Sequence, residues 1–287
     1  MIEPISPSTQ PSNPLLMKTV DRLRSMLGPE MDLLTIERAV IGIFFSGIKL
    51  SNGEGGICFT PVKEIPEAVC CPSSARAMPN SGKLVGQPVG YYIQRMQNGG
   101  PLQKALGIAV LNALSATCWR AQPPTEYRLI TGADPVENRT IDDDANVVVI
   151  GALVPYFKML KQRKKPFTIL EKDSRTLKPD EMQFFQPQEK AAVCIADADL
   201  LIITGTTLIN NTLEDILGHM KDGAEAILVG PTASMLPEAF FERGIVSIGG
   251  IVVTDADRLL GTLTEAGSGY HFYGKSAQRL VIEKHIN

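Results

Sequence analysis

The chain has 287 residues, of which 44% are hydrophobic and 21% charged, and its formal net charge is −3. A chain of this length favours two domains over one, and the composition excludes wholesale disorder. The lack of a basic excess argues against a nucleic-acid partner, and the lack of any run of ~18 apolar residues argues against a membrane span.

Residues 1–14 are rich in Pro and Ser and read as a flexible arm. They lack the basic stretch followed by an apolar one that marks a signal peptide, so a cytoplasmic location is expected. Leu15–Met26 carries Leu16, Val20, Leu23 and Met26 at helical spacing and stops at Gly28-Pro29. Ile36–Leu50 is rich in β-formers, Asn52-Gly53 is a strong turn dipeptide, and Gly55–Val62 follows as a second strand, which predicts a β-hairpin. Residues 65–81 are broken by Pro66, Pro72 and Pro79. Helices are expected at Val89–Gln97 and Pro101–Arg120; the second starts at a proline and carries Leu102, Leu106, Ala109, Val110, Ala113 and Leu114. Residues 15–122 thus read as a small α+β domain.

Residues 123–146 are polar, contain Pro123-Pro124 and the acidic run Asp142–Asp144, and read as a solvated connection. From Val147 the pattern changes. Strands at Val147–Ile150, Phe167–Leu170, Leu200–Ile203, Ala226–Val229 and Ile245–Ile248, with another near Ile251–Thr254, alternate with helices at Val154–Arg163, Pro187–Ala196, Thr212–Met220, Met235–Arg243 and Ala256–Leu263. Short apolar strands alternating with helices predict a buried parallel sheet in a doubly wound, Rossmann-like domain over residues 147–265. Residues 266–287 are expected to pack back as a tail. The basic run Lys161–Lys165 lies at a helix end, where cations meet the dipole favourably.

The first strand of this alternation is followed by Gly151-Ala152-Leu153-Val154-Pro155. A dinucleotide fingerprint needs further glycines, so NAD is disfavoured, although Glu171 stands at the spacing of an acid that binds a ribose hydroxyl. S-adenosylmethionine or another nucleoside needs less glycine and stays open. Thr204-Gly205-Thr206-Thr207 ends the third strand with hydroxyls around a glycine that permits close backbone approach. Asn210 and Asn211 are N-cap types, and Thr212 with Asp215 has capping-box spacing. Gly230-Pro231-Thr232-Ala233-Ser234 repeats the design on the next strand, with Ser234 as the expected N-cap and Pro237 in the first helical turn. Such loops at the carboxyl ends of parallel strands are where open α/β sheets bind ligands. Neither contains a nucleophile elbow or a phosphate-binding P-loop.

Cys58, Cys118 and Cys194 read as small buried hydrophobes. The vicinal pair Cys70-Cys71 has no further metal-ligand residue at the usual spacing. Of the histidines, His219 is placed near a helix end and His285 near the chain end, which leaves His271, between Tyr270 and Phe272, as the one to consider for a site.

At VVVIGALVP (Val147–Pro155), ITGTTLINNTLEDIL (Ile203–Leu217) and ILVGPTASMLPEAFFERGIVSIGGIVV (Ile227–Val253) the chain resembles a bacterial and archaeal family described by heavy-metal chelation. The hairpin at 36–62 and the segment Leu102–Leu114 with Asn112 are similar to its first domain. The resemblance implies an enolase-N-terminal-like domain followed by a Rossmann-like domain. It also implies handling of a small anionic or metal-chelating metabolite in a cleft between the two domains, linked to heavy-metal metabolism. Gly151, Glu171, Thr204, Gly205, Thr206, Thr207, Asn210, Gly230, Pro231 and Thr232 are the expected ligand-binding residues; no catalytic residue and no metal ligand is assigned. Two alternatives stand beside this: an S-adenosylmethionine-dependent methyltransferase-like enzyme, and a non-catalytic module that binds a ligand, or a metal through Cys70, Cys71, His271 or Asp142–Asp144. A homodimer is the base-rate expectation for such a chain.

Overall fold

The computed structural model describes residues 13–65, 80–137 and 139–285. The Cys70-Cys71 pair and most of the expected N-terminal arm lie outside the described residues. Helix α1 (Pro14–Leu27) forms where its spacing predicts. The Asn13 side chain accepts the Leu16 N–H at 3.2 Å, Pro14 occupies the first turn, and Leu15, Leu16, Val20 and Leu23 are buried. Then come α2 (Glu30–Leu33), β1 (Ile36–Ile41), β2 (Phe45–Leu50), β3 (Gly55–Phe59), α3 (Val89–Asn98) and α4 (Pro101–Ala121). They are followed by β4 (Tyr127–Thr131), β5 (Val147–Ile150), α5 (Val154–Gln162), β6 (Thr168–Leu170), β7 (Phe185–Gln186) and α6 (Ala191–Asp197). The chain continues through β8 (Leu200–Thr204), α7 (Leu213–Gly218), β9 (Glu225–Val229), α8 (Glu238–Phe241), β10 (Ile245–Val253), α9 (Ala256–Thr264), α10 (Gly269–Phe272) and β11 (Ala277–Lys284). These elements separate into a unit of Met1–Pro123, Ile209–Asn211 and Val253–Ala277 and a unit of Pro124–Leu208, Thr212–Val252 and Gln278–Asn287.

The first unit holds the antiparallel sheet β1-β2-β3. The run 36–50, expected as one strand, is two. It turns at Gly42, whose N–H donates to the Phe45 carbonyl at 3.1 Å, and an added Cβ there would come within 2.8 Å of that oxygen. Ile43 and Phe44 at the turn are apolar, so no polar residue marks it. Gly47 pairs with Ile57 and Ile48 with Gly56, so successive residues address opposite faces. Leu260 and Leu263 of α9 fill the space above Gly47, and the α4 backbone at Ala109 lies against Gly56. Helices thus cover both faces, and the strands carry small and apolar residues instead of a polar alternation.

The second unit is built on an eight-stranded sheet of order β4-β11-β10-β9-β8-β5-β6-β7. The strands from β10 to β7 are all parallel. Numbered from β5 along the chain, they follow the Rossmann order 3-2-1-4-5-6. Val147, Val149, Ile169, Ile202, Ile227 and Val229 form one buried cluster with Phe157 and Leu160 of α5. The strands expected near 245–248 and 251–254 are the single strand β10. Residues 123–146, expected as a connection, contain the edge strand β4, which pairs antiparallel with β11 from within the expected tail. That pairing joins residues far apart in sequence and leaves no local pattern beyond two short β-prone runs. The Asp142–Asp144 run meets the basic run: Arg163 donates to the Asp142 carbonyl at 2.6 Å and Lys165 pairs with Asp143 at 3.3 Å. No helix among the described residues is long and apolar enough to cross a membrane.

At the amino end of the sheet, Asp199 accepts the Asn146 N–H at 2.7 Å and pairs with Lys221 at 2.7 Å. The lysine, then the N–H, hold its carboxyl below the usual carboxylate range. A depressed acid stabilises the fold above the unfolded value of about 3.9 and loses that contribution as pH falls through the folded value. Acid titration of unfolding should therefore show a stability loss below about pH 4 that is smaller in Asp199→Asn. In the first unit, Gly56→Ala would drive a methyl into the Ala109 carbonyl and should cost about 3 kcal/mol. Gly261→Ala, inside α9 with no atom within 4 Å of the added methyl, should gain about 0.5–1 kcal/mol. Urea unfolding separates the two signs.

Candidate functional site

In the Rossmann order the chain departs in opposite directions from β5 and β8, and ligands bind in the crevice at that switch point. Ile150 pairs with Leu170 of β6 and Ile203 of β8, so Gly151, Glu171 and Thr204 stand in one rank at the carboxyl edge. Gly151 has φ +103°, and its N–H donates to the Leu170 carbonyl at 2.9 Å. An added Cβ would lie 2.7 Å from the Thr204 methyl, so a glycine is required both by the dihedral and by the approach of Thr204.

Thr204 organises the residues after it. Its hydroxyl oxygen accepts the Thr206 hydroxyl at 3.2 Å and the Thr206 N–H at 3.4 Å. Its carbonyl accepts the Thr207 hydroxyl at 2.7 Å. Residues Gly205–Leu208 form a 3-10 turn rather than leading directly into a helix. Thr207 is 3% exposed, whereas Thr206 is only half-buried. The Thr207 carbonyl accepts the Thr212 N–H at 3.1 Å, and α7 begins only at Leu213. Thr212 occupies the N-cap position without a side-chain capping bond, so the expected Thr212–Asp215 box does not form. Asn210 falls in the first unit, and Asn211, at φ +59°, serves as a left-handed turn residue rather than a cap.

The second loop is a matching 3-10 turn, Pro231–Ala233. Gly230 has φ +119°, donates to the Gly249 carbonyl at 2.7 Å and accepts the Ala233 N–H at 3.0 Å. The two turns pack together at Gly205, where an added Cβ would lie 3.2 Å from the Cβ of Thr232, itself 2% exposed. Ser234 is not a helix cap. Its hydroxyl donates to the Pro231 carbonyl and accepts the Ile251 N–H, both at 2.8 Å, against Gly250 of β10. This bond ties the segment to the sheet and confines the helix expected over 235–243 to α8. Gly151, Thr204, Gly205, Thr206, Thr207, Gly230, Pro231 and Thr232 thus form one hydroxyl-bearing ledge, with Thr204 and Thr206 partly exposed and Thr207 and Thr232 buried beneath. The Glu171 side chain turns to accept the Asp173 N–H at 3.0 Å.

Sequence reasoning passed over Asp134 and Tyr156. The Tyr156 hydroxyl, in the first turn of α5, donates to Asp134 at 3.0 Å, with Arg279 3.7 Å from the same oxygen. The other Asp134 oxygen accepts the Val136 and Glu137 N–H groups at 3.0 and 3.3 Å, and Pro135 covers Gly249. The Asp-Pro dipeptide is a turn signal that could have flagged the segment. Two of the three histidines are engaged at helix ends: His219 Nδ1 lies 2.8 Å from the Asp215 carbonyl, and His271 Nδ1 accepts the Ser268 N–H at 3.0 Å. Among the described residues, no group of three or more His, Cys, Asp or Glu stands together as a metal cage.

A model of the DUF364 family, described as "Putative heavy-metal chelation", matches residues 134–282. The chain belongs to the DUF364 family. A model of DUF4213, with the same description, matches residues 24–115. An uncharacterised protein of Methanocaldococcus jannaschii is 31% identical over 175 residues, covering 61% of this chain. The match spans 64% of that relative's length, just under two thirds. Solved structures of DUF364 proteins of unknown function share the fold. The one from Pyrococcus horikoshii has TM-score 0.73 at 18% identity, covering 94% of this chain and 99% of that one. The one from Desulfitobacterium hafniense has TM-score 0.65 at 18% identity, covering 93% and 99%.

The DUF364 ledge makes a defined prediction. Gly151→Ala should lose about 2–3 kcal/mol through strain and overlap with Thr204. Thr204→Ser removes the methyl that is struck, so the double variant should recover about 1 kcal/mol relative to additivity in a thermal-unfolding cycle.

Proposed function

We propose that the chain binds a small anionic, metal-chelating metabolite on the hydroxyl ledge at the carboxyl ends of β5, β8 and β9. The observation that carries this reading is the packing of two 3-10 turns at Gly205, beside the switch point where Gly151 meets Thr204. The ledge supplies hydroxyl and backbone groups. An added Cβ at Gly230 would have only the Gly205 nitrogen near it, at 4.0 Å, so a ligand atom has room to approach that backbone. Heavy transition metals favour thiolate and imidazole ligands. Hydroxyls and amides suit oxyanions instead, so the chelation in the family's description would belong to a bound molecule that itself carries the metal-binding atoms. A nucleoside ligand such as S-adenosylmethionine is the second reading, favoured by the 3-2-1-4-5-6 strand order.

Calorimetric titration of the full chain with citrate, alone and loaded with Ni²⁺, tests the first reading, and titration with S-adenosylmethionine tests the second. Thr206→Val keeps side-chain volume and removes the less buried hydroxyl. It should weaken citrate binding about tenfold, equivalent to about 1.4 kcal/mol. Unchanged affinity in this variant, with an unchanged melting temperature, would place the ligand elsewhere. Recovery of the bound molecule intact or altered separates a binding module from an enzyme.

A further inference from the structure

The outer face of α5 borders a cavity of about 410 Å³ lined by Lys158, Lys161 and Lys178 together with Val154, Asp180 and Glu181. Val154, Lys158 and Lys161 are spaced to share one helix face, about a quarter-turn from Phe157 and Leu160, which are fully buried. Glu181 is 2% exposed and acts as a strut: one carboxylate oxygen accepts the Lys178 N–H at 2.9 Å and the other lies 3.4 Å from Lys161 Nζ. Lys161 also pairs with Asp180 at 2.6 Å, which raises the lysine's pKa and lowers the carboxyl's. The two carboxylates therefore fix Lys161 as a wall and hold the backbone of Lys178 against the helix. Among the described residues, neither Lys158 nor Lys178 forms an ion pair with a carboxylate. Three ammonium groups against two carboxylates leave the cavity net positive.

An ammonium is a compact charge with rotatable donors, suited to a tetrahedral oxyanion, whereas a flat carboxylate is matched better by an arginine fork. The volume falls in the range of small-molecule sites, about 300–1,000 Å³, and Val154, 41% exposed, provides an apolar wall. We infer that this cavity binds a small phosphomonoester, with its phosphate between Lys158 and Lys178 and its organic body along Val154. This site shares no lining residue with the hydroxyl ledge and does not depend on the function proposed for it.

Titration of the full chain at low salt with glycerol phosphate, inorganic phosphate and glycerol tests the assignment. Saturable binding of glycerol phosphate is expected, at least threefold tighter than inorganic phosphate, with none for glycerol. Lys158→Gln and Lys178→Gln should each weaken it at least fivefold and together abolish it, with the melting temperature unchanged. Lys284→Gln, exposed on β11, should bind as the parent does. The proposal is overturned by an absence of saturable binding, by equal weakening in Lys284→Gln, by phosphate binding as tightly as its ester, or by loss of binding in Thr206→Val while the two lysine variants bind normally.

Discussion

At Gly151 a backbone with φ +103° lies beneath the Thr204 side chain, and the ends of β5 and β8 can meet there only because residue 151 has no Cβ. The rest of the carboxyl edge follows from that approach. With its methyl seated on Gly151, Thr204 turns its hydroxyl and carbonyl to Thr206 and Thr207 and so sets the 3-10 turn. Gly205 then lets this turn lie against Thr232, and Gly230 positions the neighbouring turn by its bond to β10. Thr204 and Thr232 each face a glycine, Gly151 and Gly205. The ledge is a packed structure, and rigidity of this kind is what a binding site needs to hold donors in place.

The same geometry separates this carboxyl edge from that of dinucleotide-binding sheets with the same strand order. In a dinucleotide site, the first strand-to-helix turn presents N–H groups to a pyrophosphate. Here the Leu153 N–H donates to the Gly151 carbonyl at 2.8 Å, and Pro155, in the first turn of α5, has no N–H to offer. The first turn is thus poor in phosphate donors, while the turns after β8 and β9 are rich in hydroxyls. Strand order places the crevice; the substituents on the turns decide what can bind in it.

Five of the six parallel strands were legible because strands covered on both faces are short apolar runs with distinct ends; the two-residue β7 was not, since Phe184-Phe185 is its whole apolar run. The expected spans for β5, β8 and β9 lie within one residue of those observed. The β1–β2 turn was not legible, since Ile41-Gly42-Ile43-Phe44-Phe45 has only a glycine to mark it. Nor was the β4–β11 pair, whose register from Tyr127–Lys284 to Thr131–Leu280 is a long-range fact. At the ledge, composition pointed to hydroxyl-rich loops but could not rank Thr206 against Thr207. That distinction depends on which hydroxyl reaches the Thr204 carbonyl, a matter of 3-10 rather than helical geometry. Asp134 was hidden for a related reason: its partner Tyr156 lies in another element, and only folding brings the two together.

Helix α5 links these features through its register. Phe157 and Leu160 anchor it to the sheet, and Phe157 stacks near Phe167, which in turn stacks on Phe184 at 4.1 Å between ring centres. One residue before Phe157, Tyr156 reaches Asp134; one residue after it, Lys158 faces the cavity. A rotation of the helix about its axis would break the Tyr156 bond and move the lysines together, because a helix turns as a unit of 3.6 residues. The aromatic stack thus helps to fix the angle at which α5 presents a polar group on one side and a cationic face on another.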